Sequence, residues 1–234
     1  MRFNKNRDLL ETGEIYHIFN RGVNRQNIFP DDEAYSYFLH LLGHCKKFIT
    51  PLTHHRKKVE THGEEIFLLR PYDDESKPPR FRVPVELQAF VLMPNHFHLL
   101  VRQLVDGGVS LYLSRICNAF TRAFNQRFKR TGPLWEKRFA AKVVESENSY
   151  LQLIRYIHLN PFKTSPPLAN DLREYRYSSY LEMAGLADKK ICDLEFPLDL
   201  VGSFRNYDSF VRAQITPEEG SSLKGLTVED WFEN

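Results

Sequence analysis

Residues 86–102, Glu-Leu-Gln-Ala-Phe-Val-Leu-Met-Pro-Asn-His-Phe-His-Leu-Leu-Val-Arg, constrain the fold of this chain most. Two apolar runs, each of strand length, flank Met93-Pro94-Asn95. Pro94 lacks a backbone N–H and Asn95 favours turns, so the chain reverses there. The runs read as two buried strands paired as a hairpin.

The remaining elements fall around this hairpin. Glu14 to Gly22 is a β-rich run closed by Asn-Arg-Gly and reads as a strand entering a turn. Asp31-Asp32 open a helix whose apolar face is Phe38, Leu41, Leu42 and Cys45, ending near Lys47. Ser110 to Arg130 repeats Leu113, Ile116, Cys117, Phe120 and Phe124 at helical spacing. Thr131-Gly132-Pro133 break that helix, Arg138 to Val144 make a strand, and Ser146 caps a helix running to Asn160, which Pro161 ends. The order strand, helix, strand, strand, helix, strand, helix predicts an α+β domain with a largely antiparallel sheet and helices packed on one face. Residues 50–85, rich in charge and proline, read as an insertion, and the pattern weakens from about 185. The expected layout is therefore a domain over 1–184 and a C-terminal extension over 185–234.

Two hundred and thirty-four residues suit one domain with appendages. At 42% hydrophobic and 26% charged, collagen-like and wholly disordered classes are excluded. Three cysteines without a Cys-x-x-Cys pair argue against a disulfide framework or thiolate zinc site and for a reducing cytoplasm. No segment has the length and apolarity of a membrane span, so no membrane partner is expected. The net charge is only +2, so any affinity for nucleic acid must be local. Such a locality exists: Arg115, Arg122, Arg127, Lys129 and Arg130 meet no acidic residue within the helix and its end. With Arg21 and Arg25 after the first strand, they are the candidate DNA contacts.

Strand alternation sends His96 and His98 to one face and Phe97 to the other. Two neutral imidazoles on one face can share a metal ion and leave positions open for a third ligand and substrate oxygens. The alternative is a pair of satisfied histidines at a strand end. In the last helix, Tyr150, Leu153, Ile154 and Ile157 form the core stripe, while Tyr156 and Asn160 lie one turn apart beside it. A tyrosine hydroxyl is a usable nucleophile toward a metal-polarised phosphate, and Asn160 offers a carbonyl oxygen to the metal. The alternative there is a tyrosine packed on the sheet and an asparagine acting as a C-cap. His158 projects roughly opposite, as a structural residue.

Four ordered segments resemble the REP-associated tyrosine transposases and related single-strand transposases of the HUH nuclease superfamily. They are Tyr16 to Gly22, Val91 to Val101, Leu134 to Phe139 and Arg155 to Pro161, spanning about residues 12–182. The resemblance implies a ferredoxin-like core in which His96 and His98 bind a divalent ion, Mg²⁺ or Mn²⁺, and Asn160 completes the metal site. It implies that Tyr156 attacks single-stranded DNA near a hairpin, leaving a 5′-phosphotyrosine and a free 3′-hydroxyl. Residues 50–85 and the tail beyond 185 depart from the family pattern, which leaves open the recognised DNA, a homodimer, and an active site completed in one chain or by a partner. A hairpin-binding regulator without strand transfer and a metal phosphoesterase on a small substrate are the competing readings.

Overall fold

The computed structural model describes residues 10–46, 55–61, 64–70 and 83–213. Strand β1 (Ile15–Arg21) leads through a short 3-10 turn (Val23–Arg25) to helix α1 (Asp32–Lys46). Strands β2 (His55–Thr61) and β3 (Glu64–Arg70) pair antiparallel as a two-stranded sheet within the expected insertion, whose remaining residues up to 82 lie outside the described ones. Strands β4 (Val85–Met93) and β5 (His96–Gln103) form the hairpin read from the sequence, followed by helix α2 (Gly108–Arg127). Strand β6 (Ala140–Val143), helix α3 (Glu147–Leu159) and the short helices α4 (Tyr180–Met183), α5 (Glu195–Val201) and α6 (Phe204–Arg212) complete the described chain.

The main sheet has the order β4-β5-β1-β6, with every pairing antiparallel. The expected α+β class with an open antiparallel sheet is what the chain adopts. The helices, however, divide between the two faces. Tyr16 and Ile18 of β1 and Phe97, Leu99 and Val101 of β5 bury against α1 and α2. Ala89, Val91 and Met93 of β4 and Leu100 of β5 bury against α3 on the opposite face, with Tyr150, Leu153, Ile154 and Ile157. One face of β5 presents Phe97, Leu99 and Val101 and the other Leu100 beside the histidines, so each requires a cover. A register shift between Leu87 and Ala89 explains how two residues that alternation would place together serve opposite cores.

Local chemistry fixes the helix that matters most. Ser146 caps α3 by accepting a hydrogen bond from the Ser149 N–H at 3.2 Å, satisfying one donor of the first turn. At the other end Pro161 turns the chain into a 3-10 turn (Asn160–Phe162). Beyond 185 the sequence pattern was weak because α6 is short, yet Tyr207 and Val211 are fully buried in the α3 core. Gly22 closes β1, and a Cβ there would stand 2.6 Å from the Gln26 carbonyl oxygen, so the turn admits no side chain.

His158 is fully buried and bracketed by Tyr207 and Ser179 at 2.6 and 2.7 Å. Ser179 Oγ donates to the Phe90 carbonyl, so it accepts from His158 Nε2–H, and His158 Nδ1 accepts the Tyr207 hydroxyl proton. Burial holds the His158 pKa down to about 3. The unfolded chain, with the ordinary value near 6.5, binds the proton first, so stability is present above about pH 6.5 and is lost as the pH falls toward 3. Urea unfolding at several pH values should show a loss of about 1.4 kcal/mol per pH unit from His158 in that window. His158→Gln should flatten the slope by that amount; an unchanged slope would mean that His158 is not the group that resists protonation.

Candidate active site

The hairpin turn delivers His96 and His98 to the α3 face of the sheet, at the start of β5. His96 is half-buried and its Nδ1 lies 2.7 Å from Asn95 Oδ1. Asn95 in turn donates its Nδ2 to the Arg25 carbonyl at 3.3 Å, which identifies the facing amide atom as oxygen. An amide oxygen only accepts, so the His96 proton resides on Nδ1 and the lone pair on Nε2. His98 is fully buried. Its Nδ1 lies 2.9 Å from His17 Nε2, and its own Nε2 is buried with no hydrogen-bond partner among the described residues.

Helix α3 packs on β4 and β5 and lowers Tyr156 onto this pair. The Tyr156 ring stands edge-on to His98, with centroids 5.3 Å apart, and 6.3 Å from His17. Tyr156 is nearly buried at 5% exposure, as is Tyr150 at 2%, so burial does not distinguish them; position does. Tyr150 packs against Phe196 at the far end of the helix. Asn160 follows Tyr156 by one helical turn, buried, and occupies the C-cap of α3, so its placement suits both readings made from the sequence.

Two cations crowd the cluster that sequence reasoning did not single out. Lys163, just past Pro161, holds its Nζ 4.9 Å from the Tyr156 ring centre. Burial, and then the charge of Arg155, lower its pKa. Lys142 of β6 pairs in register with His17 and is buried. Burial first, then the Lys142 charge, hold the His17 pKa at about 3; burial and the charges of His17, His96 and Lys142 push His98 well below its usual value. Both imidazoles are therefore neutral at pH 7, the form that ligates metals. His17 was legible only as a β1 residue on the face of Arg21. Its contact with His98 lies across strands and no local spacing announces it.

The candidate DNA contacts separate into groups. Arg21 pairs in register with His96 and therefore lies beside it, but it is buried and held by Glu136 at 2.8 Å. Arg25 is exposed, and its backbone anchors Asn95. The stripe of α2 lies across the sheet from the histidines. Arg127 is not free of acids as its own helix suggested, since Asp31, just before α1, pairs with it bidentately, at 2.9 and 2.6 Å, and Glu33 of α1 lies at 3.1 Å. Arg115 is half-buried, Arg122 and Lys129 are exposed, and Arg130 donates to the Pro133 carbonyl at 3.0 Å. The loop after α2 returns to the His96 end of the sheet, where the Leu134 carbonyl accepts the Val23 N–H.

Among the described residues no three His, Cys, Asp or Glu side chains cluster as a ready metal cage, and no helix is long and apolar enough to cross a membrane. A metal ion here would rest on two imidazoles and the Asn160 amide oxygen. The residues present fit one: both imidazoles are tied at Nδ1, and the orphaned His98 Nε2 is the kind of buried polar atom that requires a partner.

Residues 81–160 match the family described as "Transposase IS200 like". The chain resembles the IS200-like transposases in its core. That matched stretch runs from β4 to Asn160 and contains His96, His98, Tyr156 and Asn160; β1, with His17 and Arg21, lies outside it. An uncharacterized protein of Haemophilus influenzae is 25% identical over 104 residues, 36% of this chain and 58% of that protein, so the chain spans less than two thirds of this relative's length. Among solved structures, a REP-associated tyrosine transposase bound to a REP hairpin superposes with a TM-score of 0.52 at 15% identity, covering 82% of this chain and 98% of that one. The fold is thus shared with that structure over most of the chain, while the family match itself covers residues 81–160.

Proposed function

We propose that this chain is a metal-dependent single-strand DNA transposase that nicks near DNA hairpins through a 5′-phosphotyrosine intermediate. The observation that carries the reading is the meeting of Tyr156 with His98, whose unpartnered Nε2 sits in a cluster of neutral imidazoles. Support comes from the family match over these same residues and from a solved relative in fold that holds a hairpin.

Tyr156 Oη attacks the scissile phosphorus, the P–O3′ bond breaks, and the chain keeps the 5′-phosphate while a 3′-hydroxyl departs. The phosphoester is conserved in the link, so the departing strand end or another 3′-hydroxyl can reverse the step without a nucleotide cofactor. A divalent ion, Mg²⁺ or Mn²⁺, held by His96, His98 and Asn160, would polarise the phosphate and offset charge in the transition state. Lys163 lies over the Tyr156 ring, a positive charge beside the site where the phosphate would be attacked. Burial of the cluster strengthens each of these interactions.

The test is incubation of the protein with labelled single strands flanking a hairpin. A covalent adduct should form with Mg²⁺ or Mn²⁺ and vanish with chelator or in His96→Ala. Hairpin binding without any adduct would favour a regulator, and turnover of small phosphoesters without DNA binding a phosphoesterase. For the DNA contacts, Arg122→Ala should reduce the log-log salt slope of binding by roughly one if it touches one phosphate. Arg127→Ala should change it less, because Asp31 and Glu33 already neutralise that guanidinium. Equal loss of slope in both variants would show that DNA displaces those pairs.

A further inference from the structure

His17 stands behind His98 as Asn95 stands behind His96, and the two contacts have the same consequence. We infer that His17 is a positioning residue that holds His98 as the Nδ1-protonated tautomer, so that the Nε2 lone pair of His98 is kept for a divalent metal ion; this rests on the metal-dependent reading above.

The argument is one of proton counting. At 2.9 Å, one proton lies between His17 Nε2 and His98 Nδ1. Each neutral imidazole carries one N–H, so two arrangements exist. In the first, His17 donates, and His98 must carry its own proton on Nε2, where no acceptor stands among the described residues. In the second, His98 donates from Nδ1 and its Nε2 holds a lone pair. Both arrangements leave His17 Nδ1 without a partner, so that atom does not choose between them. The choice lies at His98 Nε2, and a cation there selects the second.

The neighbouring histidine shows the same outcome by an independent route. Asn95 Oδ1 can only accept, so His96 is protonated on Nδ1, and the orientation of that amide is set by the Arg25 carbonyl. Two imidazoles on one sheet face are thus tied at the same nitrogen from two different elements, β1 and the hairpin turn. Both direct Nε2 away from the tie. A tie of this kind behind a ligating histidine typically contributes 10- to 100-fold in metal affinity.

The experiment is a Mn²⁺ titration of full-length protein followed by electron paramagnetic resonance, with folding checked by circular dichroism. His17→Phe should keep the packing against His98 and weaken Mn²⁺ binding roughly 10- to 100-fold, because His98 Nδ1–H then lacks its acceptor. His17→Gln, whose Oε1 can accept that proton, should recover most of the loss. Should His17→Phe fail to fold, long-range ¹H–¹⁵N spectra of the Mg²⁺-loaded wild type supply the decision: His98 should be protonated on Nδ1. Wild-type affinity in His17→Phe alongside lost affinity in His98→Ala, a Gln variant as weak as Phe, or a proton on His98 Nε2 would each overturn the inference. Retained Mn²⁺ affinity in both His96→Ala and His98→Ala would instead overturn the metal reading, and this inference with it.

Discussion

Tyr156→Phe is expected to fold and bind hairpin-flanked single strands as the wild type does, and to form no covalent protein–DNA adduct. Removing the nucleophile should lower strand cleavage by roughly 10³-fold or more, since no other group can take its place in the same geometry. The packing survives because Phe keeps the ring that meets His98, His17 and Lys163. Tyr150→Phe is the matched control. Its hydroxyl is buried without a hydrogen-bond partner among the described residues, and burial raises its pKa far above the usual tyrosine range. Losing that group should leave adduct formation unchanged and cost no stability. Adduct yields on denaturing gels decide both cases, and cleavage at the wild-type rate by Tyr156→Phe would remove the tyrosine from the mechanism.

The largest effect on stability is expected at Phe97, the residue between the two histidines. Its side chain points to the opposite core, fully buried, with ring centroids 5.3 Å from Phe38 and 5.5 Å from Trp135. Phe97→Ala removes a ring from the meeting point of β5, α1 and the loop after α2, and should cost about 3–5 kcal/mol in urea unfolding. Phe128→Ala, at a side chain 41% exposed, should change stability by less than about 0.5 kcal/mol. Comparable losses in the two would mean that Phe97 does not occupy the core that alternation assigns it.

Much of this was legible because it depends on short periods. Alternation placed His96 and His98 on one face and Phe97 on the other; the three- and four-residue spacing placed Tyr156 and Asn160 on one edge and Tyr150 in the core. Ser146 and Pro161 marked the ends of α3 by local backbone chemistry. What escaped was non-local. Helix α2 looked uniformly basic because its acids, Asp31 and Glu33, come from just before and just inside α1. The division of helices between two faces depends on where α3 returns after β6, which no local pattern encodes. Lys163 lies past a proline that ends the readable helix, and His17 meets His98 only through the β1–β5 register. Tyr207 and Val211 drew no notice because α6 is nine residues long and most of its polar face meets water.

The central claim is that Tyr156 becomes joined to DNA. Wild-type protein incubated with Mg²⁺ and a hairpin-flanked single strand, digested and mapped by mass spectrometry, should yield one nucleotide-bearing peptide, modified at Tyr156 through a 5′-phosphate. A nucleotide on Tyr150 or any other residue, or no adduct where binding to the same DNA is demonstrated, would contradict the account.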